Sequence, residues 1–233
     1  MPFRVGEKLI TKVIVDCDYT LYSKSEELDR KIWDPVEEKQ IFFLMTINDI
    51  PDDEYEDFKL KFHALGKEIG YFATFIKFGG TEDQFKVTTS SVDVSKYLAF
   101  DQLLKTILYL LSQKVEIFIY SGSPLESIEK VLNALIGYQN DERKKLIKGI
   151  WGKEKSDEHG LQKVDKKTFE LMLKEFDADP SETLFVDDLG RSLDVAQELG
   201  LNTVKVNPEE PLKAEGDKNV PSFNKIMQLM KFD

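Results

Sequence analysis

The sequence has almost none of the residues that build disulfides and zinc sites. Its 233 residues include one cysteine, Cys17, so no disulfide can form within the chain and an oxidising compartment is not implied. The two histidines, His63 and His159, lie in different regions and do not form a zinc-binding pattern. The reactive groups that remain are mainly carboxylates, amines and hydroxyls.

Long apolar runs and an excess of basic charge are also missing. The longest apolar run, residues 41–47, is too short to span a bilayer, and the first residues show no signal-peptide pattern. Lys and Arg number 32 against 43 Asp and Glu, which gives a net charge of −11. Since nucleic-acid backbones and anionic membranes carry the same sign, we expect neither as a partner. We expect a cytoplasmic protein that is a monomer or a small homo-oligomer.

Apolar strand-like runs alternate with amphipathic segments of helical period through most of the chain. Strands are predicted at residues 12–16, 115–123, 149–152, 183–190 and 202–208. Helices are predicted at residues 101–113, 124–136, 165–176 and 191–199. This alternation indicates an α/β fold, a Rossmann-like parallel sheet with helices on both faces. Residues 208–233 are polar, with one weak helical pattern at 222–231.

Residues 23–97 interrupt this alternation and lack the runs typical of buried strands. They are helical in pattern at 24–49 and 52–78, and turn-rich at 78–95. A connection of about 75 residues far exceeds the few residues that usually join elements of an α/β unit. We therefore predict an α/β core formed by residues 1–22 and 98–233, with a helical subdomain inserted at 23–97.

Chemically reactive side chains follow the predicted strands at the points where these end. The set, with one lysine from a polar segment, is Asp16, Asp18, Ser121, Lys163, Asp187 and Asp188. Because ligands bind beyond the carboxyl ends of parallel strands, we expect these groups to converge there. Four carboxylates and one ammonium leave a net charge of −3, which a cation or proton uptake must offset. Mg²⁺ suits such oxygen ligands and lets a phosphate approach, so the residue types predict Mg²⁺-dependent phosphoryl chemistry.

The motif VIVDCDYTLY, which contains Asp16, resembles the DxDxT signature of the haloacid dehalogenase-like phosphohydrolases. The family's other motifs follow in order: a Ser after the second strand (IYSG), a lysine, and an acidic pair after a strand (LFVDDLGRS). The family places its lysine six residues before a helical phenylalanine. Lys163 stands six residues before Phe169 and fits this spacing better than Lys166 or Lys167. The resemblance covers essentially the whole chain, and the insertion stands where the family carries its helical cap.

The resemblance implies a role for each motif residue. Asp16 would be the nucleophile that forms an aspartyl-phosphate, and Asp18 would be the general acid and then the general base. Ser121 and the amide of Gly122 would bind the phosphoryl oxygens, and Lys163 would offset their charge. The substrate would be a small phosphorylated metabolite.

The resemblance also implies a Mg²⁺ site built from the same strand ends. Asp16 and Asp188 would bind the ion directly, the backbone carbonyl of Asp18 would contact it, and Asp187 would reach it through water. The family helps hold the metal shell with an Asn or Asp at the position that Ser192 occupies here. We expect that change to weaken metal affinity.

Within the superfamily, DYTLYSKS resembles the start of the pyrimidine 5′-nucleotidase-like subgroup, which implies a nucleoside 5′-monophosphate as the substrate. Four residues depart from the patterns of the family and subgroup without removing a reacting group: Tyr19, Ser23, Gly122 and Val164. The alternatives left open are a sugar-phosphate or lysophospholipid phosphatase, and a catalytically weak phospho-ligand-binding member of the fold. A dehalogenase is disfavoured because its chemistry needs no equivalent of Asp18.

Overall fold

The computed structural model describes residues 3–5, 8–89, 93–138, 145–207 and 219–232. The chain forms two compact units. The core unit comprises Met1–Lys24 and Leu98–Asp233, and the inserted unit comprises Ser25–Tyr97. The inserted unit thus starts two residues after the bound of 23 that the sequence predicted. That it serves as a cap stays a prediction.

The described residues form strands in two sheets. In chain order the strands are β1 (Phe3–Val5), β2 (Lys8–Ile10), β3 (Lys12–Val15), β4 (Glu116–Tyr120), β5 (Gly149–Trp151), β6 (Thr183–Asp187), β7 (Asn202–Val206), β8 (Asn219–Val220) and β9 (Met230–Phe232). The larger sheet has six strands in the order β5-β4-β3-β6-β7-β8, and every neighbouring pair is parallel. The smaller sheet is antiparallel, with the order β2-β1-β9. The sequence did not predict it, because three-residue strands are too short to show a period.

Helices cover both faces of the large sheet, which confirms the predicted α/β class. In chain order the helices are α1 (Glu26–Ile47), α2 (Tyr55–Ile69), α3 (Tyr71–Lys77), α4 (Glu82–Thr89), α5 (Gln102–Ser112), α6 (Leu125–Ile136), α7 (Lys153–Asp157), α8 (Lys166–Glu175) and α9 (Gly190–Glu198). Short 3₁₀ segments lie at Asp52–Glu54, Val94–Tyr97, Pro180–Glu182 and Phe223–Leu229. Each of the four helices predicted for the core unit lies within one residue of its predicted bounds. None of the described helices combines the length and apolarity that a bilayer crossing requires.

The inserted unit packs α1 to α4 around its own apolar core. That core consists of Ile41, Leu44, Met45, Phe58, Phe62 and Phe75. The helix predicted at 52–78 is interrupted at Gly70, whose φ of +87° lies in the left-handed region that glycine adopts without strain. The chain therefore forms two helices, α2 and α3, instead of one.

Two predictions from the sequence were wrong in these outer segments. The stretch 78–95 was predicted as turn-rich, but it contains α4. A capping box begins that helix, because Thr81 Oγ1 accepts from the Gln84 N–H (3.3 Å) and Gln84 Oε1 accepts from the Thr81 N–H (2.8 Å). The helix predicted at 222–231 is a 3₁₀ segment followed by β9. Residues 208–218, predicted to be polar, lie outside the described residues.

Phe169 belongs to the apolar core that packs against the large sheet, so truncating its side chain should cause a large loss of stability. This side chain is fully buried, and its ring lies 4.9 Å from that of Tyr120 and 5.2 Å from that of Phe185. Phe169→Ala should lower the free energy of unfolding by about 3–5 kcal/mol, because it removes buried apolar area and leaves a cavity. Urea unfolding measures this loss.

Phe100→Ala is the matched control, because Phe100 belongs to the same unit but is 52% exposed. It should cost less than about 1 kcal/mol. A Trp33→Phe background leaves the buried Trp151 as the only tryptophan, so that its fluorescence follows the core unit alone. Equal losses for the two Phe→Ala variants would contradict the packing described here.

Candidate active site

The carboxyl ends of three adjacent strands bring the predicted site residues to one edge of the sheet. Asp16 directly follows β3, and its N–H donates to the carbonyl of Val186 in β6 (2.9 Å). Asp187 is the last residue of β6. Ser121 directly follows β4, and its N–H donates to the carbonyl of Trp151 in β5 (3.0 Å). Because β3 lies between β4 and β6, side chains far apart in sequence meet here.

Lys163 places a positive charge between two of these carboxylates. Its Nζ donates to Asp16 Oδ1 (2.5 Å) and to Asp187 Oδ2 (2.8 Å), and its side chain is only 14% exposed. Burial alone would lower the pKa of Lys163, but the carboxylates of Asp16 and Asp187 raise it above its usual value. The amine is therefore charged. Tyr120 donates its hydroxyl to the Lys163 carbonyl (2.5 Å), which fixes the lysine's backbone.

Three carboxylates form a cluster that is short of positive charge. Asp16, Asp187 and Asp188 each offer one oxygen, and these oxygens lie within 4.8 Å of one another. If all three were ionised, the group would carry a net charge of −2 with Lys163 as the paired ammonium. Burial raises the pKa of Asp16 well above its usual value, although Lys163 acts against this. Burial and the neighbouring Asp187 raise the pKa of Asp188 to about 6. Ionising all three carboxylates thus calls for a further cation.

Thr20 links the two turns that carry these carboxylates, a role that sequence reasoning did not assign. Its hydroxyl donates to Asp16 Oδ2 (3.2 Å) and accepts from the N–H of Asp188 (3.1 Å). The side chain is 2% exposed, so water cannot replace either bond. Its sequence signal was present, because Thr20 is the threonine of the DxDxT motif.

Asp18 stands outside the carboxylate cluster and is held by hydroxyl groups instead. Its Oδ1 accepts from the hydroxyl of Tyr22 (2.8 Å), and its Oδ2 accepts from those of Ser123 (2.5 Å) and Ser121 (3.4 Å). Tyr19, which follows Asp18, has a φ of +58°, so the chain turns sharply here. Sequence reasoning missed Tyr22 and Ser123. The second hydroxyl of the Ser-Gly-Ser triplet was the available signal for the latter.

Two further predicted positions lie in the same region. A Cβ built on Gly122 would lie 3.7 Å from Cδ of Lys163, so this glycine stands beside the lysine. Ser192 lies in α9, is fully buried, and its hydroxyl has no hydrogen-bond partner within the described residues. Its participation in a metal shell stays a prediction. The structure thus brings together Asp16, Asp18, Ser121, Gly122, Lys163, Asp187 and Asp188.

The two hydrogen bonds of Thr20 predict that its hydroxyl contributes to stability. Thr20→Val keeps the shape of the side chain but leaves a buried carboxylate oxygen and a partly buried N–H without this partner. The free energy of unfolding should fall by about 1–3 kcal/mol. Thr20→Ser, which keeps the hydroxyl, should recover most of the loss in urea unfolding. A Thr20→Val protein as stable as the wild type would show that the hydroxyl does not hold the two turns together.

Several solved structures share the fold of this chain at low sequence identity. The UTR4 protein of Saccharomyces cerevisiae is 15% identical, with a TM-score of 0.53 over 92% of this chain and 98% of its own. The L-2-haloacid dehalogenase of Xanthobacter autotrophicus is 14% identical, with a TM-score of 0.54 over 94% of this chain and 98% of its own. YfnB of Bacillus subtilis, solved with bound magnesium, is 16% identical, with a TM-score of 0.50 over the same shares of the two chains. At these identities the likeness concerns the fold.

The sequence is similar to part of a mouse protein and matches one family model. Acyl-CoA dehydrogenase family member 10 of Mus musculus is 46% identical over 55 residues, which are 23% of this chain and 5% of the mouse protein. The chain therefore matches only a small part of that relative. The family model described as haloacid dehalogenase-like hydrolase matches residues 10–200, a range that contains every residue of the site. The chain belongs to the haloacid dehalogenase-like hydrolases.

Proposed function

We propose that this chain is a Mg²⁺-dependent phosphomonoester hydrolase that acts on a small phosphorylated metabolite. The observation that carries the proposal is the cluster of Asp16, Asp187 and Asp188, whose oxygens lie within 4.8 Å of one another. Among the described residues Lys163 supplies the paired positive charge, so three ionised carboxylates would leave a net charge of −2. A phosphate dianion would be repelled from such a site unless a divalent cation offset the charge.

The donor set fits Mg²⁺, which prefers a few carboxylate oxygens together with water and phosphate. In this proposal Asp16, Asp188 and the backbone carbonyl of Asp18 would hold the ion, which would supply charge neutralisation and polarise the phosphate oxygens. Asp187 would act through water. Its two carboxylate oxygens already accept hydrogen bonds, one from Lys163 (2.8 Å) and one from the N–H of Leu189 (2.7 Å).

The first half of the reaction transfers the phosphoryl group to the protein. A carboxylate oxygen of Asp16 attacks phosphorus, and the bond from phosphorus to the leaving oxygen breaks. Asp18 gives its proton to that oxygen, so that an alcohol and not an alkoxide departs. Lys163, which contacts Asp16 at 2.5 Å, orients the nucleophile and offsets charge on the transferred group, and Ser121 donates to a phosphoryl oxygen.

The second half of the reaction regenerates the carboxylate of Asp16. Asp18, now ionised, takes a proton from water, and the water oxygen attacks phosphorus. The bond between phosphorus and Asp16 breaks, inorganic phosphate leaves, and Asp18 again carries a proton. Two carboxyl groups two residues apart can therefore complete the cycle without another acid or base.

Asp18 favours phosphate-ester hydrolysis over dehalogenation, although the fold is shared with a dehalogenase. A halide leaves as a stable anion and needs no proton, whereas an alkoxide leaving group does. Three hydroxyls, those of Tyr22, Ser121 and Ser123, hold the carboxylate of Asp18 beside the site. Such support for a second acid is unnecessary for halide removal.

The substrate class that the motif DYTLYSKS favours is a nucleoside 5′-monophosphate. Sugar phosphates and lysophospholipids are the alternatives. A panel of these compounds, assayed for release of inorganic phosphate, separates the three classes. A protein that binds but does not hydrolyse them would be a phospho-ligand-binding member of the fold.

Asp16→Asn should abolish phosphate release on that panel by at least about 10³-fold, because an amide cannot attack phosphorus as a carboxylate does. Asp194→Asn is the matched control, since Asp194 is exposed on α9. It should keep wild-type rates. Circular dichroism should show both variants folded. Turnover by Asp16→Asn at a rate comparable to the wild type would refute the proposed nucleophile.

Mg²⁺ should stabilise the wild type against thermal unfolding, because it binds the folded cluster and not the unfolded chain. At a concentration one hundred times its dissociation constant, the gain is about 2.7 kcal/mol. Asp188→Asn should remove most of this gain in stability, and Asp194→Asn should not.

EDTA should abolish phosphate release by the wild-type enzyme, and added Mg²⁺ should restore it. Undiminished rates in EDTA, or an equal gain in Asp188→Asn, would contradict the metal site.

A further inference from the structure

The carboxylate of Asp18 accepts hydrogen bonds from three hydroxyl groups on two separate turns. Tyr22, on the turn after β3, donates to Oδ1 at 2.8 Å. Ser123 and Ser121, on the turn after β4, donate to Oδ2 at 2.5 Å and 3.4 Å. Both oxygens of Asp18 are thus held, and the contact from Ser123 is much the shorter of the two serine contacts.

Ser121 cannot keep donating to Asp18 while it donates to phosphate. A serine hydroxyl carries one hydrogen, and in the proposed reaction that hydrogen is donated to a phosphoryl oxygen. The Ser121 oxygen also accepts from the N–H of Ser123 (3.1 Å), which orients the hydroxyl but does not supply a second hydrogen. When phosphate binds, Tyr22 and Ser123 are therefore the donors left to hold Asp18.

The structure keeps both of these donors in place. Tyr22 is buried, so its hydroxyl is held against Asp18 and away from bulk water. The backbone of Ser123 is fixed at both ends, because its carbonyl accepts from the N–H of Lys153 (2.9 Å) and its own N–H donates to Ser121. Both hydroxyls already contact Asp18 without any movement of the chain.

We propose that Tyr22 and Ser123 are positioning residues that hold the Asp18 carboxyl group in one orientation through both halves of the reaction. A hydroxyl can donate to an ionised carboxylate and accept from a protonated acid. The same two partners can therefore serve Asp18 before and after it gives up its proton. This inference rests on the proposed function, because it concerns the acid and base of that reaction.

The test compares two substrates that differ in their need for an acid. The leaving group of 4-nitrophenyl phosphate departs without a proton. That of phenyl phosphate is more basic and therefore depends more strongly on a proton donor. The ratio kcat/KM reports the reaction up to transfer of phosphate to Asp16, where Asp18 acts as the acid. Ser123→Ala and Tyr22→Phe should lower kcat/KM for phenyl phosphate by about 10-fold or more. For 4-nitrophenyl phosphate the fall should be less than about 3-fold.

Ser123→Thr restores a hydroxyl and should return the ratio between the two substrates to that of the wild type. Asp18→Asn should show the same selective fall in kcat/KM for phenyl phosphate, and the fall should be larger. A fall by one common factor for both substrates, or no fall, in Ser123→Ala and Tyr22→Phe would overturn the inference. When the wild type hydrolyses both compounds and Asp16→Asn hydrolyses neither, such a common fall, or the absence of a fall, rejects the positioning role and leaves the proposed function in place. A wild type that releases phosphate neither from these two compounds nor from the metabolite panel overturns the proposed function and the inference together.

Discussion

The buried ammonium of Lys163 is the charge on which the rest of the site depends. It contacts Asp16 and Asp187, which end two adjacent strands and are almost fully buried. Without it, two carboxylates would face each other across the edge of the sheet, and an uncompensated buried charge costs several kcal/mol. One lysine cannot balance three carboxylates, however. In the proposed function, a divalent cation offsets the imbalance that remains.

The short turn after β3 supplies two networks of different character. Asp16 joins a charged network with Lys163, while Asp18, two residues later, joins a network of hydroxyls. Thr20, on the same turn, connects the first network to the backbone after β6. In the proposed reaction, the nucleophile Asp16 is thus held beside a cation, and Asp18, which exchanges a proton, is held by groups that can donate or accept. The two acids lie on one turn, but their side chains contact different partners.

The sequence predicted the core well because strong local patterns specify it. Buried β-branched runs such as residues 12–16 mark the strands, and the order of the motifs identified the site. Partners such as Ser123 were not predictable in the same way. Ser123 and Asp18 are 105 residues apart, and a serine in a turn has no period that reveals its contact. The helix α4 was missed for another reason: its capping box begins at Thr81, among residues with the composition of a loop.

Anomalous diffraction from crystals grown with Mn²⁺, a Mg²⁺ surrogate that also takes oxygen ligands, tests the central claim most directly. The charge imbalance of the cluster predicts one strong anomalous peak in contact with the carboxylates of Asp16 and Asp188. That peak should disappear in Asp188→Asn crystals grown in the same way. Saturating Mn²⁺ with no peak at these carboxylates, in crystals of the wild type, would contradict the account.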